Sequence, residues 1–140
     1  MEFKSMKELK AYIDSKAKEA MNKGTHVKSE VIETGKAHVQ SDVYDLYSPK
    51  QYDRTGQLKE QWDTEETANG MNVFPSRRDE DTGKYVPEVI ETGQGYDYEF
   101  DYNGRARPFI ENTRNELAAN KGRLTDALKQ DLKSIGVNVK

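Results

Sequence analysis

Arg54-Thr55-Gly56-Gln57-Leu58 near the middle of the chain, and Ala106-Arg107-Pro108-Phe109-Ile110 opening its last third, are the stretches that decide the fold. Thr55-Gly56 is a turn signal, and the apolar period changes across it. Upstream, apolar residues recur every three or four positions; downstream they alternate. Pro108 suits the first position of a helix, where its missing N–H is not needed, and the residues before it are held extended. Behind it Ile110, Thr113, Leu117, Lys121, Leu124, Leu128, Leu132 and Ile135 keep one stripe as far as Gly136. This order predicts an α+β fold. N-terminal helices and a long C-terminal helix (108–135, bent at Gly122) pack on a small, mainly antiparallel β-sheet. A length of 140 residues suits a single domain, 1–140.

Working outward, residues 5–22 read as a helix, with Leu9, Tyr12, Ile13, Ala17, Ala20 and Met21 at helical spacing. Ser5 and Glu8 have the spacing of a capping box, and Gly24 is a stop. Residues 25–46 read as a second helix on Val27, Val31, Gly35, His38, Val39, Val43 and Leu46, closed by Pro49, with a short extended piece at Val31 to Gly35 as the alternative. The β-region is expected over 57–102. Leu58, Glu60, Trp62 and Thr64 alternate with polar residues, and Asn69-Gly70 is a hairpin signal. Tyr85 to Thr92 reads as a third strand with Pro87 at its edge, and Tyr96, Tyr98, Phe100 and Tyr102 as a fourth. Residues 76–84 lack any period and read as a mobile, solvated loop. Glu-Val-Ile-Glu-Thr-Gly occurs twice, at 30–35 and 88–93. The flanks differ, so this is taken as coincidence and not as a repeat architecture.

Leu, Ile, Val and Phe make up about 18% of the chain, near the level at which disorder competes. The formal net charge is only -3, which favours a folded domain with a thin core. Eight tyrosines and one tryptophan add buried area, and neighbouring subunits would add stability by mass action. There is no cysteine, which excludes disulfides, thiolate metal ligands and a thiol nucleophile. No apolar run approaches the ~20 residues of a membrane span.

The candidate chemistry is sparse. His26 and His38 lie twelve residues apart, without the tight spacing of a zinc site. Asp79, Glu80 and Asp81 lack the ligand periodicity of a calcium loop. No serine sits in a Gly-x-Ser-x-Gly context, and Gly93-Gln94-Gly95 opens no helix. No catalytic residue, cofactor or metal is expected. The tyrosine segment followed by Arg105 and Arg107 supports one alternative, a small accessory protein binding single-stranded nucleic acid through Tyr96, Tyr98, Tyr102, Arg105 and Arg107. Asp97, Glu99 and Asp101 in the same segment oppose it. Aromatic residues and arginines are equally the residues that protein interfaces favour.

The two opening motifs carry a resemblance. Tyr52-x-Arg54-Thr55-Gly56-x-Leu58, a β-region of about forty-five residues, then Ala106-Arg107-Pro108-Phe109 and a terminal helix resemble the tail-completion or head–tail joining proteins of long-tailed bacteriophages. Gln61-Trp62 departs from the family's usual Ser and aliphatic pair. Glu91-Thr92-Gly93 matches its Glu-x-Gly-Thr segment only loosely, and the 5–22 helix lies outside the resemblance. It implies an α+β, non-enzymatic structural protein of the virion neck, assembled in the host cytoplasm. The implied partners are other copies in a ring, usually of six, with tail-tube or tail-terminator proteins on one side and head-connector proteins on the other. DNA would be passing cargo, and no membrane is involved. Tyr52, Arg54, Thr55, Gly56, Leu58, Ala106, Arg107, Pro108 and Phe109 are then expected to fix the fold. Arg77, Arg78, Asp79, Glu80 and Asp81 form the candidate docking loop.

Overall fold

The structure, a computed structural model, describes residues 3–47, 56–68, 70–96 and 100–137. It is an α+β fold of helices around one two-stranded antiparallel sheet. Tyr52, Arg54 and Thr55, like Tyr98 and the Asn69 of the hairpin turn, lie outside the described residues.

Helix α1 runs Met6–Lys23, started by Ser5, whose Oγ accepts the Glu8 N–H at 3.2 Å. Helix α2, Thr25–His38, continues into a wider π-helical turn, Val39–Tyr44. That turn places Val39 and Val43 in the core, where an ordinary α-helical turn would rotate them differently. Gly56, at φ 79°, then launches a single helical turn, α3, Gln57–Glu60. Strands β1 (Trp62–Glu66) and β2 (Met71–Pro75) pair from Trp62↔Pro75 to Glu66↔Met71. Helix α4 spans Val86–Thr92, α5 Phe109–Ala119 and α6 Lys121–Ser134.

The core is small. Val39, Val43, Leu58, Ile90 and Phe109 are buried together, with Tyr44, Trp62, Val86 and Ile110 packed around them. Each such side chain contributes about 1.5–3 kcal/mol by leaving water. Leu58 and Phe109 therefore anchor the two signature motifs in one place.

Four expectations are corrected. The strand expected from Leu58 begins at Trp62, because the left-handed Gly56 turns Gln57–Glu60 into a helix that seats Leu58 inside. Of the expected strand Tyr85–Thr92, Val86–Thr92 is helix and Tyr85 its extended N-cap. Pro87 lies in its first turn, where a proline costs no hydrogen bond, and Gly93 ends it at φ 74°. The tyrosine segment is not a strand where it is described; residues 101–104 are turn. The long C-terminal helix is broken at Asn120 and not bent at Gly122. There the Asn120 side chain donates to the Glu116 carbonyl at 2.9 Å, competing with the helix's own bonds.

The duplicated hexapeptide is helical both times. Thr34 donates to the Glu30 carbonyl at 2.8 Å, and Thr92 to the Glu88 carbonyl at 2.9 Å. Both terminal glycines meet close neighbours. A Cβ on Gly35 would fall 2.2 Å from the Trp62 ring, and one on Gly93 would fall 2.4 Å from the Arg105 backbone.

Candidate interaction site

The helices that build the core borrow their N-terminal caps. Helix α2 starts at Gly24, which has no side chain to offer; Asp131 of α6 accepts the His26 and Val27 N–H groups at 2.8 and 3.0 Å. A Cβ on Gly24 would lie 2.1 Å from that carboxylate, so the glycine makes room for it. Helix α5 starts at Pro108, and Glu91 of α4 accepts the Ile110 and Glu111 N–H groups at 2.8 and 3.0 Å. Both carboxylates occupy the place of an N-cap oxygen and sit at the positive end of a helix dipole.

His38 joins two helices on its own. Its Nδ1 lies 2.6 Å from Asp42 and its Nε2 3.2 Å from Glu116 of α5. Asn112 donates to Asp42 at 3.1 Å, and Arg123 of α6 pairs with both Glu116 (2.9 Å) and Glu30 (3.2 Å). Burial pushes the Asp42 carboxyl up, but bonds from Asn112, His38 and Ser41 outweigh it and hold the group below its ordinary value. The Arg123 bond, opposed by partial burial and helped by His38, holds Glu116 low as well. Of the two partners of His38, Asp42 lies one helical turn away in sequence, whereas Glu116 comes from 78 residues downstream and only the fold supplies it. Among the described residues no group of three or more His, Cys, Asp or Glu is placed to hold a metal ion. None of the described helices is long and apolar enough to cross a membrane.

The segment expected to be a mobile loop is closed by its own bonds. Asp79 accepts the Asp81 and Thr82 N–H groups, both at 2.9 Å, and the Asp79 N–H donates to the Lys84 carbonyl at 2.9 Å. Those bonds hold the Asp79 carboxyl below its usual value. Arg78 bridges to Tyr85 and lies over its ring. Glu80 and Asp81 remain at the exposed tip, and Arg77 is half-buried.

Arg107 is turned inward, 5% exposed. Its guanidinium lies 4.6 Å from the Tyr102 ring centre and donates to the Tyr96 hydroxyl at 2.9 Å. Phe100 packs against Tyr96 and Tyr47. This cluster holds the cation on aromatic faces and removes Arg107 from any phosphate, while Arg105 and Ala106 stay exposed. Of the described residues proposed for nucleic acid, Arg107 is thus turned away from Arg105 and from any surface they would share.

Two apolar surfaces lie outside the core. The first is a groove of about 550 Å³ lined by Val31, Trp62, Val73, Phe74, Ile110 and Leu117. Glu88 and Arg114 stand exposed at its edge. The second is one face of α1. Met6, Ile13, Ala17 and Ala20 fall within a narrow arc at 100° per residue. Ala20 is buried where α1 meets the body, yet Met6 is 78% and Ile13 54% exposed. Sequence periodicity found the stripe but could not tell that half of it lacks an intramolecular cover.

The fold and these surfaces define a small helical α+β protein with apolar side chains left uncovered outside its core. The chain belongs to the YomN family, whose model matches residues 5–134. It is 42% identical over 138 residues, 96% of each chain, to the SPbeta prophage-derived protein YomN of Bacillus subtilis strain 168. Its origin is bacteriophage. The family's description is YomN alone and names neither head nor tail. No solved structure matches the chain.

Proposed function

We propose that the chain is a structural subunit of the phage virion that completes the tail and joins it to the head, working as a homo-oligomeric ring at the neck. The observation that carries this reading is the uncovered apolar face of α1. An 18-residue helix that buries one residue, Ala20, and exposes Met6 and Ile13 is built for a partner. The phage origin, and the resemblance of the two motifs to tail-completion proteins, narrow that partner to virion components. Both motifs place anchors in the core, Leu58 and Phe109, so they act through the fold and leave the outer faces to assembly.

In this reading the subunit does no chemistry. It meets copies of itself, the tail-tube or tail-terminator proteins and the head-connector proteins, while DNA passes through. The tip at 77–83 is the docking element, presenting Arg78, Glu80 and Asp81 from a turn whose geometry Asp79 fixes. Phage lacking this gene should yield filled heads and finished tails lying separate in electron micrographs, and deletion of 77–83 alone should do the same with a folded subunit. Intact virions from the gene deletion would refute the function. Intact virions from the loop deletion would refute the loop's part in it.

A further inference from the structure

The groove and the α1 face match each other in chemistry. The groove is an apolar trough between α2, the hairpin, α4 and α5, and no α1 residue lines it. Its exposed edge carries one acid, Glu88, and one base, Arg114, neither in an ion pair among the described residues. The α1 face offers Met6 and Ile13, and along the flank nearest them it carries the base Lys10 and the acid Asp14, four residues apart, with Lys7 further round the helix. These two also make no ion pair among the described residues. Apolar stripe meets apolar trough, and each flanking charge finds its opposite.

We propose that the groove of one copy receives the Met6–Ile13 face of α1 from a second copy, with Lys10 meeting Glu88 and Asp14 meeting Arg114. The contact joins two different surfaces of the same chain, the kind of interface that closes into a ring when its rotation allows. Charges of both signs at the edge fix the direction in which the helix lies, because a reversed helix would set like charges together. The proposal rests on the reading that the subunit assembles with itself, and it names the surfaces that do so.

The chain has no cysteine, so single cysteines report contacts cleanly. Full-length Ile13→Cys and Val73→Cys chains, tagged differently and mixed, should be joined by a short bismaleimide into mixed dimers, with either variant alone giving little product. Lys10→Glu with Asp14→Lys should abolish the cross-link, and adding Glu88→Lys with Arg114→Glu on the Val73→Cys chain should restore it. The mass of the untreated wild-type chain in solution is read alongside. Oligomers without the mixed cross-link would overturn this contact while leaving self-assembly standing. A chain that stays monomeric at millimolar concentration would overturn both. Cross-linking that survives the charge reversal unchanged would overturn the assigned charge pairs.

Discussion

Helix α1 and helix α5 differ in where their instructions come from. Helix α1 is specified by its neighbours in sequence. Ser5 caps it, the Glu8 carboxylate returns to the Lys4 N–H at 2.8 Å, and this capping box was legible without a structure. Helix α5 begins at a proline and takes its cap from Glu91, nineteen residues upstream of Ile110. It sends Phe109 and Thr113 into full burial. The locally written helix is peripheral and keeps its apolar face outside; the remotely capped helices hold the core. Local signals thus mark the peripheral element, and tertiary contacts mark those that build the core.

The contrast can be broken most forcefully at Phe109. Phe109→Ala should lower unfolding stability by about 3–5 kcal/mol in a denaturant titration, since the side chain is 0% exposed. Loss below about 1 kcal/mol would mean the core lies elsewhere. Next is the borrowed cap. Asp131→Ala strips α2 of its acceptor and should cost about 2 kcal/mol, whereas Ser5→Ala, the local cap, should cost under about 1 kcal/mol. Hydrogen exchange would locate the Ser5→Ala effect in α1 alone and spread the Asp131→Ala effect through α2 and α6. Equal costs would erase the distinction.

A smaller effect follows from acid. Asp42 and Glu116 titrate below their ordinary values of 3.8 and 4.5 when folded. Folding therefore releases protons, and the stabilisation is complete above those values and lost as pH falls through the depressed ones. Stability should decline as pH falls below about 4.5. His38→Gln should flatten that decline, as seen in thermal melts across pH; an unchanged profile would detach His38 from the network. Smallest of all, Ile13→Asp on the exposed face should move stability by no more than about 0.5 kcal/mol when both chains are diluted until they are monomeric, so that no assembly contributes.

How much was legible follows the same division. The α+β class, α1 with its cap and the Asn-Gly hairpin are written in adjacent residues. The segment 86–92 was misread as an edge or irregular strand around Pro87, although its hexapeptide recurs at 30–35 within a stretch whose leading reading was helix. The flanking glycines explain the difference in fate: Gly35 stays within α2 to admit Trp62, and Gly93 ends α4 against Arg105. The tyrosine segment misled for another reason. Tyr96, Phe100 and Tyr102 alternate in sequence but gather around Arg107, a centre that only the folded chain supplies. The groove was not legible at all, since its walls come from α2, both strands, α4 and α5. Of the motif residues, Gly56 has a visible backbone cause in its φ of 79°, and Leu58, Arg107 and Phe109 a visible burial.

The account stands most directly on the solution mass of the wild-type chain beside Ile13→Asp, measured at matched concentrations by light scattering. It predicts a multimer for the wild type and a folded monomer, helical by circular dichroism, for the variant. A monomeric wild type, or a variant that assembles as the wild type does, would contradict it.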